Sequence, residues 1–334
     1  MHIAIIGAGL AGLTCARSLQ AQGNSVIVYE KSSGVSGRMS TRRNELGGFD
    51  HGAQYFTATS EPFKKQIAAW RKAGWVAPWD GKLVSLDNGV AKPAGQSSSS
   101  TGQRFVAVPG MSSLGKKMAL GLDVRTETRV TEVERYGAQW LLKVQADTAP
   151  IAASAGPFDT VIVAVPADQA ITLLASSPAF AKQAEEARLA PCWTLMLGFQ
   201  DSLGLPYDGA WINGKRLAWI AQDASKPQRR AGEHWIGQAS VEWSIEHLEE
   251  DPERAKEKLL KAFHEATGSH VQPIYAAVHR WRYSQAIRPL DADCLWDAEL
   301  HLGACGDWFA AGLEGKGRVE NAYLSGLALA ESLR

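Results

Sequence analysis

Gly7-Ala8-Gly9-Leu10-Ala11-Gly12 sets three glycines at GxGxxG spacing directly after an apolar run, Ile3 to Ile6. The first glycine permits a tight turn after a strand. The second lets a pyrophosphate approach the backbone, and the third lets helix and strand pack closely. A helix that opens here offers unpaired N–H groups and the positive end of its dipole to phosphates. Glu30 follows a second apolar run, Ser25 to Tyr29, where its carboxylate can accept hydrogen bonds from ribose hydroxyls. This combination predicts dinucleotide binding.

Three later stretches bear on which dinucleotide. Ser36-Gly37-Arg38-Met39-Ser40-Thr41 offers a backbone N–H and a guanidinium to a pyrophosphate. Phe49-Asp50-His51-Gly52-Ala53-Gln54-Tyr55-Phe56-Thr57 comes next, and Cys305-Gly306-Asp307-Trp308 lies near the C-terminus. A carboxylate at that last strand end can hold the ribityl chain of FAD, a contact that an NAD dehydrogenase does not need. Cys305 reads as a small buried filler rather than a nucleophile.

In His279-Arg280-Trp281-Arg282-Tyr283-Ser284, strand alternation puts His279, Trp281 and Tyr283 on one face and both arginines on the other. That face is either an aromatic wall over a flavin or part of a core. Trp193 carries the same two readings, and Arg104 is either a phosphate partner or a surface charge. No GxSxG elbow, HxxxH spacing or Cys/His cluster competes for a hydrolytic or metal site.

The elements that would hold these residues can be read from periodicity. Ile3 to Ile6, a helix from Leu10 to Gln22 stopped by Gly23-Asn24, and Ser25 to Tyr29 form a βαβ unit. Thr160 to Val165 is wholly apolar, as a strand buried on both faces should be. His301 to Cys305 reads as another strand of that sheet, and Val319 to Leu333 as a closing helix. Elsewhere, Glu61 to Lys72 and Pro252 to Thr267 read as helices. Trp193 to Phe199, Leu217 to Gln222, His234 to Trp243 and Ala276 to Tyr283 read as strands. Ten of the twelve Trp fall outside the nucleotide sheet so defined, which points to a Trp-rich second domain. Ala94 to Gly102, rich in Ser, reads as a loop.

The 334 residues suit two domains. Lys+Arg and Asp+Glu are 35 each, so no overall field draws in nucleic acid or an anionic membrane. No apolar run approaches the roughly 20 residues of a membrane span, and no secretory leader is visible. Four cysteines without CxxC spacing suit a reducing cytoplasm.

Together the N-terminal fingerprint, SGRMST, DHGAQYFT, VPGMSSL (Val108 to Leu114), HRWRYS, CGDW and GRVENAYLSG (Gly317 to Gly326) resemble the renalase family, bacterial branch, within the flavin amine oxidase superfamily. The matching stretches run from one end of the chain to the other. The resemblance implies an α/β fold with a discontinuous Rossmann-like FAD domain (residues 1–57, 103–165 and 297–334) and a mixed-sheet α+β substrate domain (58–102 and 166–296). It implies non-covalent FAD held by Gly7, Gly9, Ala11, Gly12, Glu30, Lys31, Arg38, Gln54, Tyr55, Val130, Asp307, Arg318 and Val319. Substrate residues would be Phe56, Thr57, Arg104, Trp193, His279, Trp281 and Tyr283. The implied reaction oxidises dinucleotides misreduced on the nicotinamide ring back to NAD(P)+, with O2 leaving as hydrogen peroxide. No catalytic side chain and no metal is required, and neither a nucleic acid, a membrane nor a protein partner is expected. An amine oxidase or desaturase on the same frame, or a non-enzymatic flavoprotein, stays open. Three departures stand out: Ser36-Gly37-Arg38 stands where the family loop commonly begins Gly-Gly-Arg, Phe309 to Lys316 is a longer link than the family's, and Asn321 replaces a usual Gly. The last two bear on the contacts of Asp307, Arg318 and Val319.

Overall fold

The computed structural model describes residues 1–87, 89–93, 102–146, 153–214 and 216–334. The Ser-rich stretch, Gly102 apart, lies outside the described residues.

Six strands form the nucleotide sheet, in the order Leu295–Asp297, Leu302–Ala304, Thr160–Val163, His2–Ile6, Ser25–Tyr29, Asp123–Arg125. All pair in parallel except the Leu295–Asp297 edge. The apolar run of Thr160–Val163 has a direct cause: both faces of this sheet are covered. Ile3, Ile5, Val28 and Ile162 face a core shared with the Leu10–Ala21 and Val319–Ser332 helices. Ala4, Ile6, Val161 and Val163 face Trp140, Leu142 and Phe158 of a three-stranded antiparallel sheet, Thr128–Tyr136, Gln139–Ala146 and Ala153–Phe158. The first and last helices pack so closely that a Cβ at Gly326 would fall 2.3 Å from the Ala11 carbonyl oxygen.

The second sheet has seven strands, ordered Tyr275–Arg288, Arg188–Phe199, Glu233–Ala239, Leu217–Gln222, Gly209–Ile212, Leu83–Asp87, Val90–Pro93. It is antiparallel save for the Gly209–Ile212 and Leu83–Asp87 pair. One face packs Trp193, Leu195, Leu197 and Trp235 on the Pro252–Thr267 helix through Leu259 and Phe263. That helix starts where Asp251 accepts from the Glu253 and Arg254 N–H groups and stops at Gly268, φ 70°. The other face looks toward the nucleotide sheet.

Three expectations are revised. The strand expected to run to Trp243 ends at Ala239. Ser240 accepts from the Trp243 N–H and starts the Val241–Glu246 helix. Trp296 lies in the edge strand of the nucleotide sheet, not in the second domain. The Glu61–Lys72 helix, placed by sequence in the second domain, buries Phe63, Ile67 and Trp70 in the core beside the last helix.

Candidate functional site

Between the sheets lies a cavity of about 1520 Å³ that the glycine turn, the Glu30 strand end and the second sheet all line. Drug-sized pockets run to about 1,000 Å³, so the cavity has room for a dinucleotide and a further ligand. Gly7 sits at φ 110° and donates to the Tyr29 carbonyl at 2.8 Å. A Cβ on Gly12 would fall 2.1 Å from the Gly7 oxygen, whereas one on Gly9 would meet nothing within 4 Å. Gly12 is thus required for packing, and Gly9 fronts open space. Gly9 also caps the first helix without a side-chain bond, so the N–H groups of its first turn face the cavity unspent.

Glu30 is 7 % exposed at the end of its strand. The Ala8 N–H donates to its Oε2 at 2.9 Å and the Ser32 N–H to its Oε1 at 2.8 Å. Each oxygen keeps a lone pair for a further donor. Lys31, Arg129 and Val130 line the same end of the cavity. Burial and the nearby Arg129 lower the Lys31 pKa.

Arg38 and Asp307 meet in a two-pronged ion pair, Nη2 to Oδ1 at 2.6 Å and Nη1 to Oδ2 at 2.9 Å. Arg38 Nη1 also donates to the Tyr283 and Ser284 carbonyls. Gly52 is pressed onto this segment: a Cβ there would fall 1.9 Å from the Arg38 oxygen. The link after Asp307 is organised by Asn321. Its amide donates to the Phe309 and Ala310 carbonyls, and its oxygen accepts from the Arg318 N–H. Arg318 and Val319 line the cavity at the start of the last helix.

Gln54 lines the cavity, but its side chain is spent on the protein. It donates to the Asp50 and Gly52 carbonyls and accepts from Lys226 Nζ. Lys226 belongs to a buried charge set that the sequence did not announce. Its ammonium lies 2.5 Å from Asp223 Oδ1, and Arg229 Nη2 lies 2.6 Å from Asp50 Oδ2. Burial raises the Asp50 pKa, but Lys226 and Arg229, with bonds from Thr41 and the Met111 N–H, hold it below the usual range. Burial and the Asp50 charge push Asp223 up. The set anchors the strand end that carries His51 and Gly52.

On the opposite wall, Trp281 Nε1–H donates to the His51 carbonyl at 2.8 Å. The His51 ring stacks on the indole at 5.2 Å, and His279 stands edge-on to both. Burial and Arg42 bring His51 down to about 4; burial, His51 and Arg42 do the same to His279. Both imidazoles are neutral at pH 7. Tyr283 lines the cavity where the pairing with Arg188–Phe199 loses its regular register. Phe56 and Thr57 line it too, Phe56 buried against Phe63 and Phe105.

Of the expected substrate residues, Arg104 is absent from the cavity lining, and Trp193 borders it with a buried indole. Trp193 pairs with Arg280, not with Trp281, so alternation turns its indole into the core under the Pro252–Thr267 helix. Its Nε1–H donates to the His247 carbonyl, and Arg280 lies over its ring. Arg104 stacks over Tyr55 and Trp211, 5.6 Å from each ring, behind the residues that line the cavity. Sequence reasoning quoted the stretch holding His51 without singling it out; nothing in the sequence pointed to Arg42.

A family described as NAD(P)-binding Rossmann-like domain matches residues 5–70, and one described as flavin containing amine oxidoreductase matches residues 81–333. The chain belongs to the flavin-containing amine oxidoreductases. An L-amino-acid oxidase from Siganus canaliculatus is 46 % identical over 48 residues, 14 % of this chain and 9 % of that protein. A 4,4'-diapophytoene desaturase from Staphylococcus aureus (strain Newman) is 42 % identical over 52 residues, 16 % of this chain and 10 % of that protein. These matches span about a tenth of either relative's length. A protein from Exiguobacterium sp. 255-15, provisionally assigned as a protoporphyrinogen oxidase, has the same fold. Its TM-score is 0.73 at 14 % identity, over 99 % of this chain and 98 % of that one. A triple mutant of putrescine oxidase with redesigned cofactor binding scores 0.68 at 15 % identity, over 99 % and 98 %.

The cofactor of this flavin-containing amine oxidoreductase is FAD, and the cavity fits it. The open space at Gly9, the unspent N–H groups of the first helix and the Glu30 oxygens suit a pyrophosphate and a ribose. Among the described residues, no helix is long and apolar enough to cross a membrane, and no group of three His, Cys, Asp or Glu is placed to hold a metal.

Proposed function

We propose that this flavoprotein oxidises dinucleotides misreduced on the nicotinamide ring, returning them to NAD(P)+. The observation that carries the reading is the charge of the cavity wall. Among the described residues its two carboxylates are Glu30 and Asp307, both at the cofactor end. The second sheet contributes Trp281, neutral His279, Tyr283 and Gln238 to the wall and, among the described residues, no carboxylate to its lining. A protonated amine would find no counter-charge there. A flat, uncharged dihydropyridine ring finds an indole to lie against, and its phosphates suit a rim that bears Lys316 and Arg318.

Bound FAD supplies a hydride acceptor and a route for two electrons to O2. In the net balance the substrate ring loses a hydride and becomes an aromatic pyridinium, and O2 gains that hydride's two electrons and one proton, with a second proton from solvent, to leave as hydrogen peroxide. The protein's part is to hold the ring in register, since hydride transfer is steep in distance. It needs no general base. Glu30 takes the ribose hydroxyls of FAD. The first-helix N–H groups and Arg38 take its pyrophosphate, and Asp307 takes its ribityl chain. Lys31, Tyr55, Val130, Arg318 and Val319 complete its surroundings, and Phe56 and Thr57 border the substrate.

Anaerobic mixing tests this. Misreduced dihydronicotinamide dinucleotides should bleach the yellow protein, and readmitted O2 should restore the colour with one hydrogen peroxide per turnover. Bleaching by amines instead would replace this reading with an amine oxidase; bleaching by neither class would remove both. Acid precipitation should leave FAD in the supernatant, because the cofactor is held without a covalent link.

A further inference from the structure

Arg42 lies outside the cavity lining, on the short Thr41–Arg43 strand that pairs with Gly48–Asp50. Its Nη2 is 3.5 Å from His279 Nδ1. A guanidinium has donors and no acceptor. His279 Nδ1 must therefore accept, and in the neutral ring the proton sits on Nε2. That Nε2 has no hydrogen-bond partner among the described residues and is not sealed off, and His279 lines the cavity beside Trp281. The ring cannot easily turn, with Trp281 edge-on at 4.3 Å and His51 at 4.9 Å.

We infer that Arg42 is a positioning residue that fixes His279 as an Nε2–H donor, so the wall selects a substrate with a carbonyl acceptor. On the substrate reading above, on which this part rests, that acceptor is the carboxamide oxygen of the dihydronicotinamide. An ammonium group, itself a donor, is refused by the same N–H and by the fixed charge behind it.

The charged and titratable groups facing His279 are Arg42 from its strand and His51 from the segment after Gly48–Asp50. Burial, His51 and Arg42 keep the ring neutral well below pH 7. Removing the guanidinium should raise the His279 pKa and release the tautomer. As pH falls in such a variant, the ring gains its second proton, Nε2–H is restored, and binding recovers. A merely structural role for Arg42 gives no such recovery.

The test uses the FAD-loaded protein, wild type, Arg42→Met and Arg42→Lys, each checked for full flavin content. Long-range ¹H–¹⁵N spectra read the tautomer directly and need no substrate. Wild type should show Nε2–H at His279 with titration well below pH 6, and Arg42→Met should show mixed tautomers titrating nearer the ordinary value of about 6.5. In anaerobic stopped flow with a misreduced dihydronicotinamide, Arg42→Met should weaken binding about three- to tenfold at about pH 8, the worth of one neutral hydrogen bond. The loss should shrink toward about pH 5.5, and Arg42→Lys should keep most of the affinity. Should Arg42→Met not load flavin, Arg42→Lys and the wild-type spectrum still decide the tautomer. An Nδ1–H tautomer in wild type, or an unchanged one in Arg42→Met, overturns the role of Arg42 whatever the substrate. The expected tautomers with no bleaching by any dihydronicotinamide uphold Arg42 and overturn the carboxamide assignment.

Discussion

Arg38 and Asp307, 269 positions apart in the chain, close on one another through two parallel N–H···O bonds at the floor of the cavity. The pair joins the segment after the second strand to the strand end that precedes the last helix. Arg38 also reaches the Tyr283 and Ser284 carbonyls, so one guanidinium ties both sheets and the C-terminal segment together.

Lysine cannot make that fork. Arg38→Lys should therefore weaken FAD binding about tenfold or more, the worth of a charge-assisted hydrogen bond at about 1.5–3 kcal/mol. Fluorescence titration of FAD into the stripped protein checks it. An unaltered dissociation constant would mean that the fork only stiffens the apoprotein.

Glu30→Ala removes the ribose acceptor and also leaves the Ala8 and Ser32 N–H groups without their partner. FAD affinity should drop about ten- to a hundredfold, while flavin that stays bound is reduced at the wild-type rate. Retained affinity in the same titration would exclude Glu30 as the ribose ligand.

Trp281→Ala takes away the flat wall and the bond to the His51 carbonyl. The variant should keep FAD yet slow flavin reduction at saturating dihydronicotinamide, because a misplaced ring is costly in rate. Reoxidation by O2 should change far less. Trp281→Phe, which keeps a ring but not the N–H, should fall between. Wild-type reduction by a folded, FAD-loaded Trp281→Ala protein would return Trp281 to a packing role.

His51 and His279 give a pH signature to stability. Both fold with pKa values near 4 against about 6.5 in the unfolded chain. Their contribution is complete above about pH 6.5 and is lost as pH falls toward 4, where the unfolded chain takes up protons that the folded one refuses. Denaturant midpoints should decline across that window, and His51→Phe should flatten the decline. Equal slopes in wild type and variant would show that His51 is not held neutral.

Local physics made much of this protein legible from its residues. The turn at Gly7 to Gly12, the strand ending at Glu30, and the helices Glu61–Lys72 and Pro252–Thr267 follow from glycine sterics, burial periodicity and capping, all set within a few residues. The alternation that puts His279 and Trp281 on one face is equally local. What lies across from a face is not. Trp193 carries the same aromatic character as Trp281, and both border the cavity, yet strand register packs the Trp193 indole into the core on one face of the sheet and sets Trp281 on the other face beside His51. Trp296 joined the nucleotide sheet because an edge strand pairs with Leu302–Ala304. Arg38 finding Asp307, and Arg42 finding His279, join residues more than 230 positions apart. Charges at that separation meet only after two sheets have buried their apolar faces. Hydrophobic packing therefore decided these pairs, and the periodicity of either strand was blind to them.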